Sequence, residues 1–239
     1  LRSLADGEET TLEHVVDFGF AESASLLVVT VSAPEGEGNG VVLHDLRGES
    51  PAVITLHSET GEHATHPTWA RDADHLAFVV AADDDGDPAR DAELWVWTGG
   101  DEARRVASAK DAPEGFTVPS VNELMWSRDG ARLFFGFKPV AKATTEPDAA
   151  TATASETETP FDPYDIEGIL EGTGVDVWHT FDPLINSNQK QVWSRQQART
   201  QAAVFHVDGA QVVRLGDESV QLDGFPDNER FALASDGTP

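Results

Sequence analysis

Trp69-Ala-Arg-Asp-Ala-Asp-His-Leu76, running into Ala77-Phe-Val-Val80, decides the fold, because the same pattern stands elsewhere in the chain. Phe20-Ala-Glu-Ser-Ala-Ser-Leu-Leu27 leads into Val28-Val-Thr-Val31. Trp126-Ser-Arg-Asp-Gly-Ala-Arg-Leu133 leads into Phe134-Phe-Gly-Phe137. In each copy an aromatic closes a short strand, a polar turn follows, and an apolar strand begins at the seventh residue on. The aromatics stand 49 and 57 residues apart. A degenerate further copy is Gly224-Phe-Pro-Asp-Asn-Glu-Arg-Phe231, before Ala232 and Leu233.

A second motif, strand–turn–strand, alternates with the first. Val41–Leu46 turns at Arg47-Gly48 into Ala52–Leu56, and Leu94–Trp97 turns at Thr98-Gly99-Gly100 into Arg104–Ala107. Val204–Val207 turns at Asp208-Gly209 into Gln211–Leu215. Leu1–Leu4, with the turn Ala5-Asp6-Gly7 and then Thr10–Leu12, looks like the tail of one more. Asp-Gly and Gly-Gly between β-branched or aromatic runs are hairpin signals. Two motifs alternating at intervals of roughly 50 residues describe a repeated four-stranded antiparallel unit, the pattern of β-propeller blades. The expected fold is therefore all-β, a partial propeller of about three to four blades. The expected division is a blade tail at 1–14, blades at about 15–57, 62–108 and 118–216, and the start of another at 219–239. So few blades do not close a ring, because a propeller closes by burying blade faces on one another. The segment is expected to be part of a larger propeller.

The chain has 239 residues, no cysteine and a net charge of −27. That length supports a sizeable core. Without cysteine there is no disulfide scaffold and no thiolate metal site. The charge excludes an electrostatic nucleic-acid binder and disfavours docking to anionic membranes, both of which need a basic face. No apolar run approaches the roughly 20 residues that span a bilayer. The opening Leu1-Arg2-Ser3-Leu4 has no Met and no signal-peptide pattern, as in a piece cut from something longer. Only Lys110, Lys138, Lys142 and Lys190 are lysines. Low Lys with abundant Asp and Glu fits a halophile's hydrated carboxylate surface; it also fits an ordinary acidic domain. Lys138–Pro160, rich in Ala, Thr, Glu and Pro, is expected to be a flexible insert, because it offers little to bury against its ordering entropy. Asp83–Asp91 is expected to be a shorter polar loop.

Val175-Asp-Val-Trp-His-Thr-Phe-Asp-Pro-Leu184 resembles a run found in the propeller of the prolyl oligopeptidase family of serine peptidases, in the large bacterial members. A Gln-rich stretch (Gln189–Gln191, Arg195–Arg199) follows it, then Ala202-Ala-Val-Phe-His-Val207 and Val213-Arg-Leu-Gly-Asp-Glu218. Arg132-Leu-Phe-Phe-Gly136, Asn39-Gly40 and Leu43-His-Asp-Leu46 are similar to runs of that family too, in the same order. The chain departs from the family run at Thr180-Phe181, where a second Trp and a Lys are missing, and its 138–160 loop is long. Ser187–Gln201 has the polar residues of a short helix, but the resemblance places hairpin strands there, and a long strand is expected.

The resemblance implies a serine-type peptidase as the parent protein, with this segment its non-catalytic propeller. An α/β-hydrolase domain C-terminal to it would be its partner, carrying Ser-His-Asp, and peptides would be the substrates. The propeller would gate their access to the serine, and the parent would be periplasmic or secreted rather than cytoplasmic. A TolB-like propeller acting as a binding module without peptidase activity is the alternative. A third reading, a propeller enzyme with chemistry in its channel, has only Asp17, His66 and Glu123 on the inner strands near Val15–Phe20, Thr65–Trp69 and Val121–Trp126.

No catalytic, cofactor-binding or metal residue is assigned within this segment, and no cofactor is expected. A nucleophile elbow needs Gly-x-Ser-x-Gly; Gly48-Glu49-Ser50-Pro51-Ala52 lacks the second glycine and reads as a turn. Glu8-Glu9, superficially an N-terminus-binding pair, reads as a solvated hairpin. His57, His63 and His66, with Glu59 and Glu62, have the residue types of a metal site but fall in an inter-blade loop with nothing to fix their geometry, and read as chance histidines. Asp83, Asp85 and Asp87 alternate as in a calcium loop, but Pro88 and Leu94 stand where Gly and Glu are required. Trp69, Trp126 and Trp178 occupy repeat positions and are expected in the core rather than in a stacking platform.

Overall fold

A computed structural model describes residues 1–2, 4, 7–33, 38–48, 51–82, 91–140, 200–217, 220–224 and 231–236. These belong to one compact unit, Leu1–Val140 with Thr200–Pro239; a second unit, Ala141–Arg199, lies outside the described residues. The Val175–Leu184 run, the 187–201 strand expectation up to Arg199, and all but the first three residues of the 138–160 insert fall outside them too, as do positions 83–90. All regular structure among the described residues is antiparallel β, with no helix.

The first sheet is a four-stranded meander of β1 (Val15–Phe20), β2 (Leu26–Val31), β3 (Gly40–Asp45) and β4 (Ala52–Ser58). The second repeats it with β5 (Glu62–Trp69), β6 (Leu76–Ala82), β7 (Ala92–Trp97) and β8 (Arg104–Ala107). In the third, β10 (Met125–Trp126), β11 (Arg132–Pro139), β12 (Gln201–His206) and β13 (Gln211–Arg214) follow the same order, and β9 (Phe116–Thr117) also pairs with β11. A hairpin of β14 (Val220–Gly224) and β15 (Leu233–Asp236) ends the described chain.

Strand β6 shows why the middle of each sheet is a continuous apolar run. Its alternate residues serve two different cores, because side chains along a strand point to opposite faces. Leu76, Phe78 and Val80 pack with Leu26, Val28, Val41 and Leu43 of the first sheet. Ala77, Val79 and Ala81 pack with Leu133, Phe135, Phe137 and Phe205 of the third. Small side chains on that face leave room for the three phenylalanines. The second sheet is thus buried on both faces between its neighbours. The first sheet is not: Phe18 and Phe20 of β1 are 64% and 48% exposed, and Val53 of β4 is 61% exposed.

The repeat seen in the sequence is a repeat of hydrogen bonds. The residue after each aromatic donates its N–H to the carbonyl five residues on: Ala21 to Leu26 (3.0 Å), Ala70 to His75 (2.8 Å) and Ser127 to Arg132 (2.8 Å). Neighbouring turns also touch. Ser23 Oγ donates to Asp74 (3.4 Å), and Arg128 Nε to Asp72 (3.0 Å).

Two local expectations need correction. The inner strand expected near Val121–Trp126 is only Met125–Trp126, because the Asn122 side chain takes the place of strand backbone. Its Nδ2 donates to Gly136 O (2.8 Å) and its Oδ1 accepts from Gly136 N–H (2.9 Å). That amide fills the stretch of β11 edge between the partners of β10, at Leu133 and Phe134, and those of β9, at Lys138 and Pro139. The β12–β13 turn falls at Asp208-Gly209 as expected, with Ala210 left-handed (φ 47°) at its end. Among the described residues the N-terminal hairpin shows one bridge, between Arg2 and Glu9, rather than paired strands.

Candidate functional site

His57 and Glu62 are brought together by a turn of three residues, Glu59-Thr60-Gly61, with Ser58 ending β4 and Glu62 opening β5. Gly61 supplies the left-handed conformation (φ 79°) that reverses the chain. His57 therefore belongs to the last strand of the first sheet and Glu62 to the first strand of the second. The segment is not the unconstrained loop that the sequence suggested, because both ends are held in strand ladders. Val41 pairs with His57, next to a bulge in β3–β4, and Glu62 pairs with Ala82. Close packing fixes the His57 backbone: a Cβ on Gly40 (φ 150°) would overlap the His57 carbonyl oxygen.

The His57 side chain is only 7% exposed, and its Nε2 lies 2.8 Å from Glu62 Oε2. Its ring sits 4.8 Å from that of Trp95, tilted by 57°. Trp95 is anchored in turn, with Nε1 donating to Glu93 (3.2 Å), whose other oxygen accepts from Arg105 (2.7 Å). Glu59 completes the group, and one donor atom from each of His57, Glu59 and Glu62 lies within 4.8 Å of the others. Among the described residues this is the one group of three or more His, Asp or Glu side chains so close.

The other two histidines of the expected cluster are parted from it. His63 follows Glu62 on β5 and so points to the opposite face, where its Nδ1 lies 3.0 Å from Ser32 Oγ. His66 has φ 56° in the bulge between Thr65 and Thr68 and is exposed. Ser50 and Asp83, Asp85 and Asp87 lie outside the described residues, as does Trp178. Glu9 pairs with Arg2 (3.5 Å) on an exposed surface. Asp17 turns its carboxylate back to the N–H of Phe18 (2.8 Å).

Trp69 and Trp126 are half-buried and packed against the two cores. Each uses its indole in the same way. Trp69 Nε1 donates to Gly19 O of β1 (3.0 Å), and Trp126 Nε1 donates to Thr68 O of β5 (2.9 Å). Both tryptophans thus reach the first strand of the sheet before their own. The Trp69 ring lies against Gly19, 3.6 Å from where a Cβ would stand. Trp95 is the member of the site that the sequence did not single out. Its part depends on a contact between two sheets, which no local pattern announces.

Two carboxylates and a buried imidazole can hold a cation or clamp the sheet junction. No protein-family model matches the chain, and no curated protein matches it.

Proposed function

We propose that this chain is a run of β-propeller blades that caps the active site of a prolyl oligopeptidase-type serine peptidase. The observation that carries the blade reading is the repeated indole bond, Trp69 to Gly19 and Trp126 to Thr68. Two successive sheets are joined to their predecessors by the same donor at the same repeat position. Stacking of this head-to-tail kind generates a ring when its rotation closes. The peptidase assignment rests on the resemblance of Val175–Leu184 and the runs around it, and the triad belongs to a hydrolase domain outside these residues. The propeller's part is physical: it keeps folded proteins from the serine, admits peptides and excludes bulk water. No helix among the described residues is long and apolar enough to cross a membrane. The acidic surface fits a salt-rich setting, in which screening relieves its self-repulsion.

The test is a peptidase assay on the full-length parent, with and without a serine-directed phosphonate, beside this 239-residue chain. Phosphonate-sensitive cleavage of short peptides by the parent, with the chain inert, supports the reading. An inert parent overturns it in favour of a binding module. Activity in the chain alone overturns it in favour of a site among the blades.

A further inference from the structure

We propose that His57, Glu59 and Glu62 form a binding site for a divalent transition-metal ion of the zinc class, placed where one sheet hands over to the next. This inference stands apart from the peptidase reading. It rests on three features of the junction.

The donor set is mixed and convergent. One imidazole nitrogen and two carboxylates offer ligand atoms within 4.8 Å of one another. Imidazole with carboxylate suits zinc, cobalt or nickel better than calcium or magnesium, which take oxygen ligands throughout. The Nε2···Oε2 separation of 2.8 Å is a hydrogen bond. Ligands about 2.0–2.1 Å from a tetrahedral zinc stand roughly 3.3 Å apart, so the ion enters when Glu62 gives way by about half an ångström and Glu59 closes in, by up to about 1.5 Å from a separation within 4.8 Å.

The imidazole is held in place beforehand. Its side chain is nine-tenths buried, braced by Trp95, while its backbone is fixed against Gly40. Little side-chain entropy remains to be lost when Nε2 takes a metal. The two glutamates, on the turn and the strand start, supply adjustable ligands.

The charge is uncompensated by permanent cations. Among the described residues neither Glu59 nor Glu62 forms an ion pair with Lys or Arg; the one cationic partner is His57, which is charged only when protonated. A divalent ion neutralises both carboxylates with the imidazole neutral, and the −27 field of the chain adds to its attraction. Three protein ligands leave a further coordination position for water.

The test is calorimetric titration of the chain with zinc alone in high salt, which suppresses loose uptake by the acidic surface. One equivalent is expected to bind. His57→Phe, which keeps a ring against Trp95, and Glu62→Gln should each weaken binding by more than about tenfold, while His66→Ala should leave it unchanged. X-ray absorption of the zinc-loaded chain should show one imidazole among oxygen ligands. That spectrum decides the matter even where His57→Phe fails to fold. Graded uptake without stoichiometry, binding indifferent to both variants, equal competition by calcium, or a first shell without imidazole overturns the proposal.

Discussion

Removing the Asn122 carboxamide should cost the fold far more than an average surface change. Asn122 is 3% exposed, and its amide both accepts from and donates to the buried backbone of Gly136, at 2.9 and 2.8 Å. Asn122→Ala leaves an N–H and a C=O of β11 without partners in the interior. Each such orphan costs about 1–3 kcal/mol, so the loss should be about 2–6 kcal/mol. Asn122→Asp discriminates further. Its carboxylate can still accept from the N–H, but sets a charge against the Gly136 carbonyl. Burial and that carbonyl raise the pKa of the new acid, so the ionised form carries the penalty. The variant should be at its worst above that raised pKa and recover as pH falls through it, when the protonated acid can donate again. Urea unfolding at fixed high salt, read at two pH values, measures both effects. Asn122→Ala within about 0.5 kcal/mol of the parent chain, or an Asn122→Asp deficit that grows on acidification, would refute the reasoning.

Ala24 and Ala210 hold left-handed backbone, at φ 52° and 47°, where the third repeat uses Gly130 (φ 69°) at the position equivalent to Ala24. Replacing either by glycine should stabilise the fold by about 0.5–1 kcal/mol, read as a higher urea midpoint, through relief of the Cβ clash. Gly40→Ala should destabilise by at least about 2 kcal/mol, because the new methyl overlaps the His57 carbonyl, and should also disturb the His57–Glu62 contact. Unfolding and the His57 ring shifts in NMR read the two effects. Arg47 holds the Asp45 carboxyl down to about 2, chiefly through its side-chain hydrogen bond and secondly through its N–H. The pair's contribution is present above the ordinary carboxylate value of 3.8 and is lost as pH falls toward 2; Arg47→Gln should raise the Asp45 pKa in an NMR titration.

The strands were legible wherever period and turn chemistry agreed. The runs from Leu27, Leu76 and Leu133 and the hairpins at Gly48 and Gly99-Gly100 could be read directly, to within a residue, since each strand's pattern is local. Asn122 could not, because a side chain standing in for a strand looks like any polar residue. At the candidate site the residue types were visible, but not which of them meet. Strand alternation parts Glu62 from His63, and a bulge turns His66 away. Trp95 enters only through packing between sheets.

The central claim is that the sheets are successive blades, so the open face of the first sheet should meet a further sheet in the full-length protein. The chain has no cysteine, so Phe18→Cys and Val53→Cys can report on that face, with exposed Asp101→Cys as control. Maleimide labelling should be fast at all three in the isolated chain. In the full-length protein, with any native thiols replaced, it should slow by about 100-fold or more at positions 18 and 53 only, as burial demands. Equal rates in the chain and the full-length protein at both positions would contradict the account.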